Sequence, residues 1–167
     1  VNMKVRHEVT AIHPERKTVT VRNLDTDAEF EESYDKLILS PGAKPTQPDM
    51  PEVGIKNVFT LRTVEDTFRI KDYINKNHPN SAVLAGGGFI SLELAENLKE
   101  LGMDVTIVQN GKQLMNPFDS DMASFIHNEL RRHGVKLLFG HAVTGFEEKD
   151  GGVEVMLKDN CSLRADM

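Results

Sequence analysis

Cysteine is scarce, long apolar runs are missing and the charge balance is acidic, and each of these features excludes a class of protein. The single cysteine, Cys161, excludes an internal disulfide framework and a four-cysteine zinc site. No apolar run approaches the roughly 18 residues of a membrane span, and no charged start with a hydrophobic stretch marks a signal peptide. The net charge of −6 disfavours a nucleic-acid partner, because a negative surface repels phosphate backbones. These features predict a cytoplasmic protein without a membrane partner.

The first 43 residues show the period-two alternation of β-strands. Three alternating segments, at 4–12, 17–23 and 28–33, predict an antiparallel meander. The apolar run at 36–39 predicts a fourth strand, buried on both faces, which ends at 40–43. The chain begins with a valine rather than methionine and stops just after the residues at 164–167, so both ends look cut and we expect an excised piece of a longer protein.

A proline-rich segment at 44–51 is predicted to be a stiff linker, and we place a domain boundary near residue 55. Strands and helices alternate in the second module, which indicates a parallel sheet with right-handed crossovers. The predicted elements are, in order, a helix at 63–76, a strand at 81–85, a helix at 89–101, a strand at 105–108, a helix at 119–133, a strand at 135–139 and a hairpin at 142–148 and 153–157.

Three consecutive glycines, Gly86, Gly87 and Gly88, stand between a predicted strand and a predicted helix. Glycine allows a tight or left-handed backbone, and a helix start offers free N–H groups and a partial positive charge, which suit a dinucleotide diphosphate. Gly86 is expected to permit the turn, and Gly88 to let phosphates approach the backbone. Ser91 replaces the third glycine of the G-x-G-x-x-G pattern. A tight turn without a ligand and a site for S-adenosylmethionine are the alternatives.

The end of the strand at 105–108 is the position where dinucleotide folds usually bind the adenosine ribose. An acidic residue there suits NADH, and a nearby basic residue suits the 2′-phosphate of NADPH. This chain has the neutral Gln109, followed at a short distance by Lys112. The choice between NADH and NADPH therefore stays open, with NADH slightly favoured because the segment contains no arginine.

Four stretches together resemble the flavin-dependent pyridine nucleotide-disulfide oxidoreductases. They lie at 7–12, 33–43, 86–97 and 118–135, and the resemblance covers essentially the whole chain. The run Tyr-Asp-Lys-Leu-Ile-Leu-Ser-Pro-Gly-Ala at 34–43 is the most specific of them. It is similar to the branch that contains coenzyme A-disulfide reductases, NADH oxidases and persulfide reductases. The resemblance implies an α/β fold: a Rossmann-like NAD(P)-binding domain at 56–167, with a parallel sheet and an antiparallel meander, preceded by a partial FAD-binding domain at 1–55.

The resemblance also implies roles for individual residues. On the FAD side it implies contacts from Val9, Pro41 and Gly42. On the NAD(P)H side it implies a set around the glycine turn, with Glu93 near the nicotinamide, Gln109 at the ribose and Phe118 over the adenine: Gly86, Gly87, Gly88, Phe89, Ile90, Ser91, Glu93, Gln109 and Phe118. Cys161 lies in a polar turn and does not match the family's redox cysteine, and no histidines stand at metal-ligand spacing, so we expect no catalytic residue and no metal site in this chain.

The expected function is that of the NADH- or NADPH-binding portion of an FAD enzyme, which passes hydride to FAD and then electrons to a disulfide, persulfide or dioxygen. The chain alone is expected to be inactive, and the whole protein is expected to act on small molecules as a homodimer formed by a further C-terminal domain. A non-catalytic nucleotide-binding module and an S-adenosylmethionine-dependent transferase are the alternatives. The transferase is disfavoured because the third strand of the second module leads into a hairpin rather than into further strand–helix units.

Overall fold

Two units make up the chain in the computed structural model, which describes residues 2–43 and 54–167. The first unit is Val1–Ala43 and the second is Lys44–Met167. The linker predicted at 44–51 lies outside the described residues. The boundary predicted at residue 55, and the assignment of 1–55 and 56–167 to FAD-binding and NAD(P)-binding domains, stay predictions.

An antiparallel sheet of three strands forms the first unit, as its alternation predicts. The strands are β1 (His7–His13), β2 (Thr18–Asn23) and β3 (Glu29–Ser33), in the order β1-β2-β3. Val19 and Val21 of β2 are buried on one face of this sheet. The first strand begins at His7 rather than at residue 4, because Arg6 adopts a left-handed conformation with φ 57° and turns the chain.

The apolar run at 36–39 is not a strand, so this prediction is wrong. No strand is present between Tyr34 and Ala43, and Ile38 and Leu39 are 87% and 65% exposed. A buried strand needs neighbouring strands for its backbone hydrogen bonds. The ladder of the first sheet ends near Tyr34, whose N–H donates to the carbonyl of Lys17 at 2.9 Å. No other described strand of this unit pairs with the run.

A parallel sheet and three helices form the larger part of the second unit, and they confirm the predicted α/β class. The helices are α1 (Val64–Asn77), α2 (Phe89–Glu100) and α3 (Ser120–Arg132), and the parallel strands are β4 (Ser81–Ala85), β5 (Asp104–Gln109) and β6 (Lys136–Phe139). The order is β4-β5-β6, with α2 joining the first pair and α3 the second. The first helix starts with a capping box, in which Thr63 and Asp66 satisfy each other's backbone N–H groups.

An antiparallel sheet of three strands follows, where the residue pattern predicts only a hairpin. Its strands are β7 (Val143–Lys149), β8 (Gly152–Leu157) and β9 (Ser162–Ala165). Beyond β9 the chain runs beside the free edge of β4, where Val83 N–H donates to the carbonyl of Met167 at 3.0 Å. The residue pattern does not predict the third strand, because this strand is short and only Ala165 in it is buried.

The core of the second unit has two layers, one on each face of the parallel sheet. Ile107 packs with Ala95 and Leu98 of α2, whereas its neighbour Val108 packs with residues of the antiparallel sheet such as Val153. Successive residues of a strand point to opposite faces, so β5 is buried on both. The carboxyl ends of β4 and β5 therefore lie at one edge of a rigid scaffold. Among residues 2–43 and 54–167, every helix is too short or too polar to cross a membrane.

Candidate functional site

The glycine turn lies where β4 ends and α2 begins, at the carboxyl edge of the parallel sheet. Gly86 has a φ of 106°, a conformation that residues with a side chain rarely adopt. Its N–H donates to the carbonyl of Val108 at 2.8 Å, which ties the turn to β5. Gly86 thus permits the turn as its pattern predicts.

Gly87 is buried against the loop that follows β5. A Cβ at Gly87 would lie 2.5 Å from Leu114 Cδ2 and 3.3 Å from Leu114 Cα. The Met115 N–H donates to the carbonyl of Gly87 at 2.8 Å. The missing side chain of Gly87 therefore serves packing within the protein, so that the loop can close over the turn.

Gly88 is the N-cap residue of α2 and faces open space. Its φ is −93° and its ψ is −177°, and no side chain caps the helix start. A Cβ at Gly88 would meet nothing within 4 Å. The first N–H groups of a helix have no intrahelical acceptors and carry partial positive charge. This start therefore fits an anionic group such as a diphosphate, which could approach the backbone at Gly88 without obstruction.

Gln109 is the last residue of β5, and its side chain folds back onto the glycine turn. The Gly87 N–H donates to Gln109 Oε1 at 3.2 Å. The side chain is half-buried. The residue predicted to bind the ribose is therefore held against the turn predicted to bind the diphosphate.

Two exposed aromatic rings lie together beside the start of α2. Phe89 and Phe118 are 63% and 43% exposed, with ring centroids 6.3 Å apart and planes at 90°. Ile90 is 52% exposed on the same helix start. The backbone carbonyl of Phe118 accepts a 2.8 Å hydrogen bond from Gln113 Nε2, which fixes the end of the loop. Exposed rings beside an uncapped helix start offer surface to a flat heteroaromatic group.

His127 of α3 is a site residue that the sequence reasoning missed. Its Nε2 accepts the Leu114 N–H at 3.1 Å, so the ring proton of the neutral form is on Nδ1. Burial, and in second place the charge of Arg131, lower the pKa of His127 below its ordinary value. The ring also packs on Phe139, at 4.9 Å between centroids. This neutral histidine holds Leu114 where it covers Gly87, and no local motif marks that role.

The remaining predicted site residues are less closely connected to this arrangement. Ser91 is half-buried and Glu93 is exposed, and both lie on α2. Val9, Pro41 and Gly42 belong to the first unit, where Val9 pairs with Val21 in the meander. Their assignment to an FAD site, like that of the whole predicted set to cofactors, stays a prediction.

The histidine, cysteine and acidic side chains of this protein are its candidate metal ligands and reactive groups. Between residues 2 and 43 and between 54 and 167, no three histidine, cysteine or acidic residues come together as metal ligands. Cys161 is a free, exposed thiol in the turn between β8 and β9.

The chain is similar in sequence and fold to proteins of one family. The sequence pattern of the pyridine nucleotide-disulphide oxidoreductases matches residues 1–167. Coenzyme A disulfide reductase of Staphylococcus aureus (strain MSSA476) is 41% identical over 137 residues, which are 81% of this chain and 30% of that protein. The crystal structure of reduced Bacillus anthracis CoADR-RHD is 44% identical with a TM-score of 0.80, covering 96% of this chain and 29% of the other.

The water-forming NADH oxidase of Lactobacillus brevis, solved bound to NADH, is 32% identical with a TM-score of 0.76, covering 96% of this chain and 35% of the other. This chain thus spans about a third of the length of the relatives that it matches. Since the match to the family pattern runs from the first residue to the last, the chain belongs to the pyridine nucleotide-disulphide oxidoreductase family.

Proposed function

We propose that the chain is the NAD(P)H-binding portion of a flavin-dependent oxidoreductase, joined to a segment of its FAD-binding domain. In the whole protein the nicotinamide supplies hydride to FAD, and the electrons then reach a disulfide such as coenzyme A disulfide, a persulfide or dioxygen. The observation that carries the proposal is the uncapped start of α2 at Gly88, which faces open space beside a rigid turn. The relatives named for NADH oxidation and coenzyme A disulfide reduction support it.

Within this proposal, the residues of the chain bind and orient rather than make or break bonds. The N–H groups at the start of α2 hold the diphosphate, and Gly88 leaves room for it. Phe89 and Phe118 offer ring surface to a base, Gln109 faces the ribose, and Glu93 lies on the nicotinamide side. Val9, Pro41 and Gly42 would contact FAD in the first unit.

The chain alone is proposed to be inactive, because Cys161 lacks the setting of a reactive thiol. Reactive cysteines lie at helix starts or beside cationic groups, whereas this one lies in an exposed strand turn. A cytoplasmic location, small-molecule substrates, the absence of nucleic-acid and membrane partners, and a homodimer formed by a further domain of the whole protein also remain proposals.

Titration of the 167-residue chain with NADH and NADPH tests the proposal. The chain contains no tryptophan, so binding can be followed by the fluorescence of the reduced nicotinamide itself. We expect saturable binding, and we expect Gly88→Asp to weaken it by about tenfold or more, because a carboxylate would then oppose the diphosphate. The variant should stay folded, since aspartate is a favoured N-cap residue.

Gly88→Asn is the matched control, because asparagine has nearly the shape of aspartate, no charge and the same preference for helix N-caps. We expect it to bind more tightly than Gly88→Asp. Wild-type binding that does not saturate at millimolar NADH or NADPH would contradict the proposal. Equal affinity of the wild-type chain and Gly88→Asp would also contradict it. Saturable binding of S-adenosylmethionine alone would favour the transferase alternative.

A further inference from the structure

Both backbone polar groups of Phe118 are held within the loop that carries it. The Phe118 N–H donates to the carbonyl of Met115 at 2.8 Å, and the Phe118 carbonyl accepts a 2.8 Å hydrogen bond from Gln113 Nε2. Since a carbonyl oxygen cannot donate, the amide nitrogen of Gln113 must be the atom that faces Phe118. The turn at Met115 and the side chain of Gln113 together fix the backbone of Phe118.

The residues that follow Gln113 are anchored to the scaffold of the second unit. Leu114 is fully buried, and its N–H donates to His127 Nε2 at 3.1 Å. Met115 is also buried, and its N–H donates to the carbonyl of Gly87 at 2.8 Å. The loop beside Gln113 is thus bonded both to α3 and to the glycine turn. The half-buried side chain of Gln113 connects this rigid point to the far end of the loop.

The far end of the loop presents the ring of Phe118 beside the start of α2, in edge-to-face contact with Phe89. Burial does not hold this part of the loop, because Asn116, Pro117 and Phe118 are all exposed. The hydrogen bonds to the backbone of Phe118 therefore hold its ring in place. A ring that is already held loses less conformational freedom when a ligand stacks on it.

Building on the proposed function, we propose that Gln113 is a positioning residue for nucleotide binding. It holds Phe118 so that the ring offers its surface to the base of NADH or NADPH. Gln113 acts through Phe118 rather than by contact with the nucleotide. Because the loop end is ordered before the nucleotide arrives, binding does not have to supply the free energy of ordering it, and the affinity is higher.

Gln113→Met tests the proposal, because methionine has nearly the length of glutamine and no donor. We expect it to raise the dissociation constant for NADH about threefold or more, since the loop end must then be ordered on binding. Phe118→Ala removes the ring itself and should raise this constant about fivefold or more, as expected for loss of an aromatic side chain that stacks on a base. Nicotinamide fluorescence measures both constants on the 167-residue chain, and helical circular dichroism shows whether each variant is folded.

The double variant, Gln113→Met with Phe118→Ala, distinguishes positioning from a general loss of structure. If Gln113 acts through the ring, the methionine should change the dissociation constant less than about 1.5-fold once the ring is absent, because coupled residues are not additive. An effect of about threefold that persists without the ring overturns the role of Gln113. Unchanged NADH binding in Gln113→Met overturns it as well.

Asn116→Ala is the control for the loss of another amide side chain from the same loop. Asn116 is exposed, and its Oδ1 would lie 3.3 Å from a Cβ added at Gly111. We expect this variant to leave the dissociation constant unchanged. An increase equal to that of Gln113→Met would show that any change in this loop weakens binding, and it overturns the proposal.

Gln113→Ala repeats the measurement without the bulk of methionine. Unfolding of both Gln113 variants would make Gln113 a folding residue and also overturns the positioning role. A folded wild-type chain that binds neither NADH nor NADPH overturns the proposed function and this inference together. Saturable wild-type binding that is indifferent to Gln113 overturns this inference alone.

Discussion

An added Cβ has opposite consequences at Gly87 and Gly88, although the two residues are neighbours in one turn. At Gly87 it would lie 2.5 Å from a Leu114 side-chain carbon and 3.3 Å from the Leu114 Cα, whereas at Gly88 it would meet nothing within 4 Å. Leu114 can move its side chain, but its backbone is held by His127. Gly87 is therefore needed for packing, whereas the space in front of Gly88 is open.

We expect Gly87→Ala to lower the free energy of unfolding by about 1–3 kcal/mol, the usual cost of overpacking a tight interior. The helices α1, α2 and α3 lie in the second unit, so the helical circular dichroism signal during urea unfolding measures this change. Gly88→Ser is the control and should cost nothing, because serine is a good N-cap residue and has room there. Equal losses for the two variants would contradict the packing role of Gly87.

The role of a single residue can be predicted from the sequence where the local backbone conformation requires that residue type. The positive φ of Gly86 and the open N-cap at Gly88 follow from a strand that turns directly into a helix. The packing of Gly87 against Leu114 and the bond from Leu114 to His127 join residues that are distant in the chain. No periodicity or local motif encodes such contacts, so only the folded structure shows them.

The loop between β5 and α3 is the element that links the glycine turn to α3. It carries Leu114 and Phe118 and contacts the glycine turn through Met115, and the neutral ring of His127 fixes its middle. Protonation of Nε2 would remove the acceptor that Leu114 N–H needs. The stability of this loop should therefore depend on pH.

The folded-state pKa of His127 is lowered from its ordinary value of 6.5, so the unfolded chain binds this proton more readily. The contribution of His127 to stability is thus fully present above about pH 6.5, and it declines as the pH falls from there toward the lowered folded-state pKa. His127→Gln keeps an acceptor for Leu114 without titrating in this range, so we expect its stability to fall less on acidification.

Urea unfolding of both proteins between about pH 7 and pH 5 measures the difference. His127→Ala serves as the second comparison, because it removes the acceptor at every pH and should be destabilised even at neutral pH. Parallel pH profiles for the wild-type chain and His127→Gln would show that this histidine does not carry the dependence.

Whole elements were predictable where one strong pattern specified them. The helices α1, α2 and α3 have apolar residues at helical spacing and clear start or stop residues, and each lies within a few residues of its predicted range. The apolar run at 36–39 failed because a strand needs partners that the run itself cannot specify. The strand β9 was not predicted because it has four residues and one buried side chain, which is too short for a period-two alternation to be recognised.

At the scale of the molecule, the residues proposed for the NAD(P)H site all belong to the second unit. The glycine turn, Gln109, Phe118 and His127 all lie within Lys44–Met167, as do both core clusters on the two faces of the parallel sheet. The strands of the first unit form a sheet of their own. A chain of residues 44–167 should therefore fold and keep the site.

We expect removal of residues 1–43 to change the NADH and NADPH dissociation constants by less than about threefold, because no residue proposed for the NAD(P)H site is lost. The helical circular dichroism signal should unfold at nearly the same urea concentration. The second unit carries its own buried core on both faces of a sheet, which is what an independently folding domain requires. A truncated chain that stays helical but loses nucleotide binding would show that the first unit completes the site, and the assignment of nucleotide binding to residues 56–167 alone would then be wrong.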